Sequence, residues 1–93
     1  MAEIKWSKKA INDLQAIYDF ISLDSGSYAD KYINRIIHKI EQLQTYPNLG
    51  RVVPEKNDNS IRELIVGSHR IFYKVDSTSV KVIRLHHSAQ KIN

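Results

Sequence analysis

Four side chains in the second half of the chain, Glu55, Glu63, Arg70 and His87, are of the types that together can cleave an RNA phosphodiester without a metal. That reaction requires a base to take the 2′-hydroxyl proton, a cation to hold the charge building on the phosphate, and an acid to protonate the leaving oxygen. Each contributes about 10²- to 10⁴-fold. Arg70 suits the second role, because its planar fork matches phosphate oxygens and its charge is permanent. His87 suits the third, since an unperturbed imidazole titrates at about pH 6.5. Glu55 or Glu63 would be the base, although for Glu63 a cross-strand ion pair is the plainer reading. Other chemistries find less support. There are no cysteines, so thiol nucleophiles, thiolate metal sites and disulfides are absent. His86 and His87 are adjacent, and adjacent residues on a strand point to opposite faces, so they do not share one ion. No metal or cofactor is expected, and the run Gly67-Ser68-His69 lacks the spacing of a serine nucleophile elbow.

Arg70 sits in the run GSHRIFYKV, residues 67 to 75, among Ile71, Phe72, Tyr73 and Val75. Pairing this strand with the next through Val75 and Val80 predicts Tyr73 opposite Val82, Phe72 opposite Ile83 and Arg70 opposite Leu85. Side chains alternate between faces along a strand. Ile71, Tyr73, Val75, Val80 and Val82 then share a core face. Arg70, Phe72, Lys74, Lys81, Ile83, Leu85 and His87 share the other, joined by Glu63 and Ile65. Arg70 is thereby expected on a sheet face that mixes cations with exposed apolar groups, the composition of a binding surface for a partner or for nucleic acid.

The elements that must position these residues follow from hydrophobic periodicity. Residues 3 to 6 alternate as a strand. Ser7 caps a helix over about 8 to 23, whose apolar residues Ile11, Leu14, Ile17, Tyr18 and Ile21 recur every three to four positions. Asp24, Ser25 and Gly26 make a turn, and Ser27 with Asp30 resembles a capping box opening a second helix. That helix runs to about Tyr46, where Pro47 and Gly50 stop it. Two amphipathic helices joined this tightly pack as a hairpin. Residues 51 to 60 read as a loop, followed by strands over about 61 to 66, 69 to 75 and 80 to 86, with a glycine-first two-residue turn at Gly67-Ser68 and a four-residue turn from Asp76 to Ser79. The expected fold is α+β: an antiparallel sheet of the N-terminal strand and a C-terminal three-stranded meander, with the helical hairpin on one face.

With 93 residues the chain is expected to form a single domain, 1 to 93, with one core. No apolar run exceeds three residues, which excludes a membrane span or signal peptide and points to a cytoplasmic protein. Charge is unevenly placed. Residues 1 to 50 hold six Lys and Arg against six acids, whereas residues 51 to 93 hold eight against four, so the whole net charge of +4 lies in the second half. That half is the candidate surface for an acidic partner. Lys8 and Lys9 stand in the first turn of a helix, where the helix dipole disfavours cations.

The segments YPNLGR at 46 to 51, IRELIVGSHRIFYKV at 61 to 75 and VKVIRLHHSAQ at 80 to 90 resemble the RelE/ParE superfamily of bacterial type II toxins, and more nearly its ParE-like branch. The resemblance spans nearly the whole chain and implies a toxin silenced by a cognate antitoxin that wraps around it. It also implies one of two actions. RelE-like members are ribosome-dependent mRNA endonucleases with an arginine at the place of Arg70 and acid-base groups near the C-terminus. ParE-like members mostly lack that set and are associated with poisoning DNA gyrase. Here LHHSAQKI carries no following Arg or Tyr, which favours the ParE-like reading, with Lys8, Lys9 and the C-terminal tail as candidate gyrase contacts. One ribonuclease branch uses Glu, Arg and His, and Glu55, Arg70 and His87 would stand in those places if the last hairpin were one residue shorter. A third alternative is an inert relative that only binds its antitoxin.

Overall fold

In a computed structural model describing residues 1 to 89, five strands form one sheet carrying two helices on one face. The elements are β1 (Glu3–Trp6), α1 (Lys8–Ser22), α2 (Gly26–Glu41), a 3-10 turn (Gln42–Gln44), β2 (Arg51–Val52), β3 (Ile61–Val66), β4 (His69–Val75) and β5 (Ser79–His87). Their order across the sheet is β1-β5-β4-β3-β2. β1 runs parallel to β5, and the other neighbours are antiparallel. The sheet is therefore mixed rather than wholly antiparallel, because a two-residue alternation identifies a strand without giving its direction. β2, inside the segment expected to be loop, is a two-residue edge strand too short to show a period.

Local sequence explains the helix boundaries. Ser7 is extended and its side chain accepts from the Ala10 N–H, satisfying one of the first-turn donors of α1. Its hydroxyl also donates to the Ile83 carbonyl at 2.6 Å, which ties the start of α1 to β5. The cap of α2 is Ser25, which accepts from Tyr28 N–H, and not Ser27. The turn between the helices is accordingly tighter than the capping-box reading implied. Tyr32, Ile36, Ile40 and Leu43 lie at helical spacing and are buried against Leu64, Ile71, Tyr73, Val80 and Val82 of the sheet. Gly67 has φ 56°, and among the described residues no non-glycine residue has positive φ, as a glycine-first hairpin turn requires. Gly50 is needed for closeness instead. A Cβ there would stand 2.3 Å from the Glu63 carbonyl oxygen and 2.8 Å from the Tyr73 hydroxyl, which itself accepts from Gly50 N–H.

The expected pairing of β4 with β5 holds at Val75–Val80 and Tyr73–Val82 and then changes. Phe72 pairs with Arg84, Ile71 with Leu85, Arg70 with His86 and His69 with His87. Ile83 is an extra residue on β5, a β-bulge, and it exchanges the two faces for everything beyond it. Leu85 is therefore on the helical side, 3% exposed within the core. His87 moves with it, and His86 stands opposite Arg70, where Leu85 had been expected.

Candidate functional site

On the face the helices leave uncovered, β3 and β4 bring Glu63 and Arg70 together as diagonal cross-strand neighbours, with Phe72 opposite Glu63. Arg70 Nε donates to Glu63 Oε1, and Arg51 Nε, from the paired strand β2, donates to Glu63 Oε2 at 2.6 Å. From the segment between β2 and β3, Glu55 reaches over and accepts from Arg70 Nη1 and Nη2 at 2.9 and 3.0 Å. The result is an alternating row, Arg51, Glu63, Arg70, Glu55. Its inner members are buried, the Glu63 side chain completely and Arg70 to 9% exposure. The guanidinium carbon lies 5.0 Å from the Phe72 ring centroid, and His86 meets that ring edge-on with centroids 5.4 Å apart.

These contacts shift the titrations of the groups. The hydrogen bonds from Arg70 lower the Glu55 carboxyl to about 2, so at neutral pH it is fully ionised. Arg70 is raised by Glu55 first and Glu63 second. Burial lowers His86, with the neighbouring charge of Arg84 acting in the same direction, and neither of its buried ring nitrogens has a hydrogen-bond partner among the described residues. The ring is neutral at pH 7, a form suited to accepting a proton rather than supplying one.

Of the residues singled out in the sequence, Arg70, Glu63 and Glu55 are brought together. Phe72 lies on their face but is buried at 5% exposure, whereas Ile65, opposite Arg70, is exposed, so the expected apolar patch is open only in part. Val53, fully buried, anchors the segment that carries Glu55. Lys74 and Lys81 are exposed on this face, and Ile83 is half-buried at the bulge. Leu85 and His87 are not there, for the reason of register given above. Periodicity singled out neither Arg51 nor His86 for this site. His86 had a signal: Val80, Val82 and Leu85 are the apolar residues of one face, and the adjacent pair Val82-Ile83 breaks the alternation where the bulge falls. Arg51 had none, because a two-residue strand shows no period. Lys8 and Lys9 are exposed at the start of α1, and tail residues 90 to 93 lie outside the described residues.

The helical side carries a different site. A cavity of about 470 Å³ lies between α1, the start of α2 and the ends of β4 and β5, walled by Ile17, Phe20 and Tyr28 and floored by Tyr32, His69 and Leu85. The Tyr32 hydroxyl is 2.6 Å from His69 Nδ1 and accepts from Ser68 N–H, and the His69 and His87 rings meet edge-on. Burial, followed by the nearby His87, lowers the His69 pKa. Phe20 and Leu23 project from the helical hairpin largely into solvent.

Comparison with known proteins places this architecture. Among solved structures, the chromosomal ParDE toxin-antitoxin system of P. aeruginosa superposes with a TM-score of 0.79 at 27% identity, covering 94% of this chain and 96% of that one. The RelBE2 toxin-antitoxin complex of Mycobacterium tuberculosis has the same fold, with a TM-score of 0.68 at 17% identity over 92% of this chain and 96% of that one. The fold is that of the RelE/ParE toxins. Toxin RelE2 of Caulobacter vibrioides is 32% identical over 91 residues, 97% of this chain and 99% of that protein. The family model for the ParE toxin of the type II toxin-antitoxin system parDE matches residues 4 to 92, and the chain belongs to that family.

Proposed function

We propose that this chain is a single-domain, cytoplasmic toxin that arrests bacterial growth by binding DNA gyrase and is silenced by a cognate antitoxin. The observation that carries the choice of target is the closure of the Arg70 site. Its Nε and both terminal nitrogens are engaged by Glu63 and Glu55, which neutralise the charge that phosphate chemistry would use. His87, the acid that the sequence offered, stands on the opposite side of the sheet. The ParE family match and the ParDE likeness support the same branch. An antitoxin partner is supported by the solved relatives, which are toxin-antitoxin assemblies, and by the apolar cavity beside the exposed Phe20 and Leu23. The test is plasmid DNA incubated with purified gyrase and this chain. Gyrase-dependent linear product is expected, and its absence at saturating toxin overturns the reading.

One observation favours a second reading, a ribosome-dependent mRNA endonuclease. Glu55, Arg70 and His86 share one face, a base, a phosphate-binding cation and an imidazole, with His86 rather than His87 supplying the imidazole. In that reading the neutral His86 must gain a proton before it can act as acid. Message cleavage lost in Arg70→Ala and His86→Ala supports it.

A further inference from the structure

The bulge at Ile83, which sets His86 beside Arg70, brings His87 to a different histidine. His69 opens β4 and stands directly opposite His87 of β5, and both line the cavity on the helical side of the sheet. Directly opposite residues of adjacent strands hold their Cβ atoms about 4.5–5.5 Å apart, close enough for two imidazoles to reach one ion. The ring centroids of His69 and His87 are 5.4 Å apart. Two imidazoles bound to one tetrahedral ion at about 2.0–2.1 Å have their centroids about 5.2 Å apart. The pair therefore needs little movement to close on a metal.

Independently of that spacing, the hydrogen bonds around His69 prepare it as a ligand. The Tyr32 hydroxyl donates to the Val66 carbonyl at 3.2 Å and accepts from Ser68 N–H at 3.1 Å, so it meets His69 Nδ1, 2.6 Å away, as an acceptor. This network assigns the imidazole proton to Nδ1 and leaves the lone pair on Nε2. An oxygen acceptor behind the far ring nitrogen is what orients most metal-binding histidines. His87 is exposed, and its ring's only hydrogen bond among the described residues is the long one that Nδ1 accepts from Ala89 N–H at 3.2 Å, which leaves the ring free to turn. Among the described residues no third histidine or carboxylate completes a set. Asp13 also lines the cavity, but its oxygens are engaged by Arg84 and by Leu85 N–H. Two neutral nitrogen donors favour a late transition metal over Mg²⁺ or Ca²⁺, which take oxygen ligands.

We propose that His69 and His87 form a two-histidine site for a divalent late transition metal, Zn²⁺ or Ni²⁺, with Tyr32 positioning His69. The remaining positions of the ion are open to water. This inference goes beyond the gyrase reading and does not rest on it, and the Arg70 face takes no part in it.

The test is calorimetric titration of ZnCl₂ into the full chain stripped of metal with a chelator, with the imidazole NMR resonances followed in parallel. One ion per chain is expected, and the rings of His69 and His87 should shift together while those of His38 and His86 stay in place. His87→Ala, a change at an exposed side chain, should weaken binding by about tenfold or more. Tyr32→Phe keeps both imidazoles and should weaken it about tenfold by releasing the His69 ring. The ring shifts of the wild-type chain keep the test decisive should Tyr32→Phe fail to fold. Absence of binding up to about 1 mM ZnCl₂, unchanged affinity in His87→Ala, or an equal response to MgCl₂ overturns the proposal. Shifts confined to His38 or His86, or one ion held between two chains, also contradict it.

Discussion

The two faces of this sheet are built from the same strands by different means. On the helical side, apolar residues from β3, β4 and β5 meet Tyr32, Ile36, Ile40 and Leu43, and burial of hydrocarbon supplies the stability. On the other side, β3 and β4 give Glu63, Arg70 and Phe72, and buried charges hold one another in place. The boundary in β5 is Ile83. Before it, Val80 and Val82 follow strict alternation; after it, Leu85 returns to the core only because the bulge absorbs one residue. The free edge that β5 shows beyond β1 is closed by side chains of the first helix and its cap. Ser7 donates to the Ile83 carbonyl, while Asp13 accepts from Leu85 N–H at 2.9 Å and from Arg84. One inserted residue thus decides which histidine stands beside Arg70.

The strongest way to break the charged face is Glu63→Ala, which leaves Arg70 buried and strips Arg51 of its partner. A loss of about 3–5 kcal/mol is expected in denaturant unfolding. On the helical face, Leu85→Ala should cost about 2–5 kcal/mol, whereas Ile83→Ala, at the half-buried bulge, should cost about 1 kcal/mol. Equal losses at the two positions would contradict the bulged register. Asp13→Ala, removing the acceptor for Leu85 N–H, should cost about 1–3 kcal/mol, and hydrogen exchange at Leu85 should rise with it.

Acid probes both faces at once. The folded pKa values of His69 and His86 lie below the ordinary 6.5, so each imidazole is held neutral while the unfolded chain takes up protons. Their stabilising contribution is complete above about pH 6.5 and is lost as pH falls toward the folded values. Unfolding midpoints should decline from pH 7 to 5, and His69→Phe and His86→Phe should each flatten that slope. Glu55 behaves differently. Its lowered pKa, about 2, keeps the carboxylate on Arg70 charged until the acid range between about 4.5 and 2. Its half-exposed side chain lets solvent screen the pair, so Glu55→Gln should have the smallest effect on stability of these changes at neutral pH, and none once the wild-type carboxyl is itself protonated.

Much of this contrast was legible in the chain. Ser7 before an apolar period of three and four identified the first helix and its cap, and Gly67 identified the first hairpin. Arg70 on the side away from the helices followed from alternation alone. What alternation does not encode is a bulge, a strand direction or a contact made by an irregular segment. Hence Leu85 and His87 were assigned to the wrong face, β1 to the wrong direction, and Arg51–Val52 to loop. Glu55 was named as a residue within reach, but its bidentate grip depends on how residues 53 to 60 fold back over β4, which no period describes.

Arg70 is closed by its own carboxylates, and the proposed function makes the toxin a binder of a protein target. Message length in a translation extract supplied with the purified chain tests that most directly. Full-length message in the presence of wild-type toxin is the predicted result. Ribosome-dependent cutting that disappears in Arg70→Ala would contradict it.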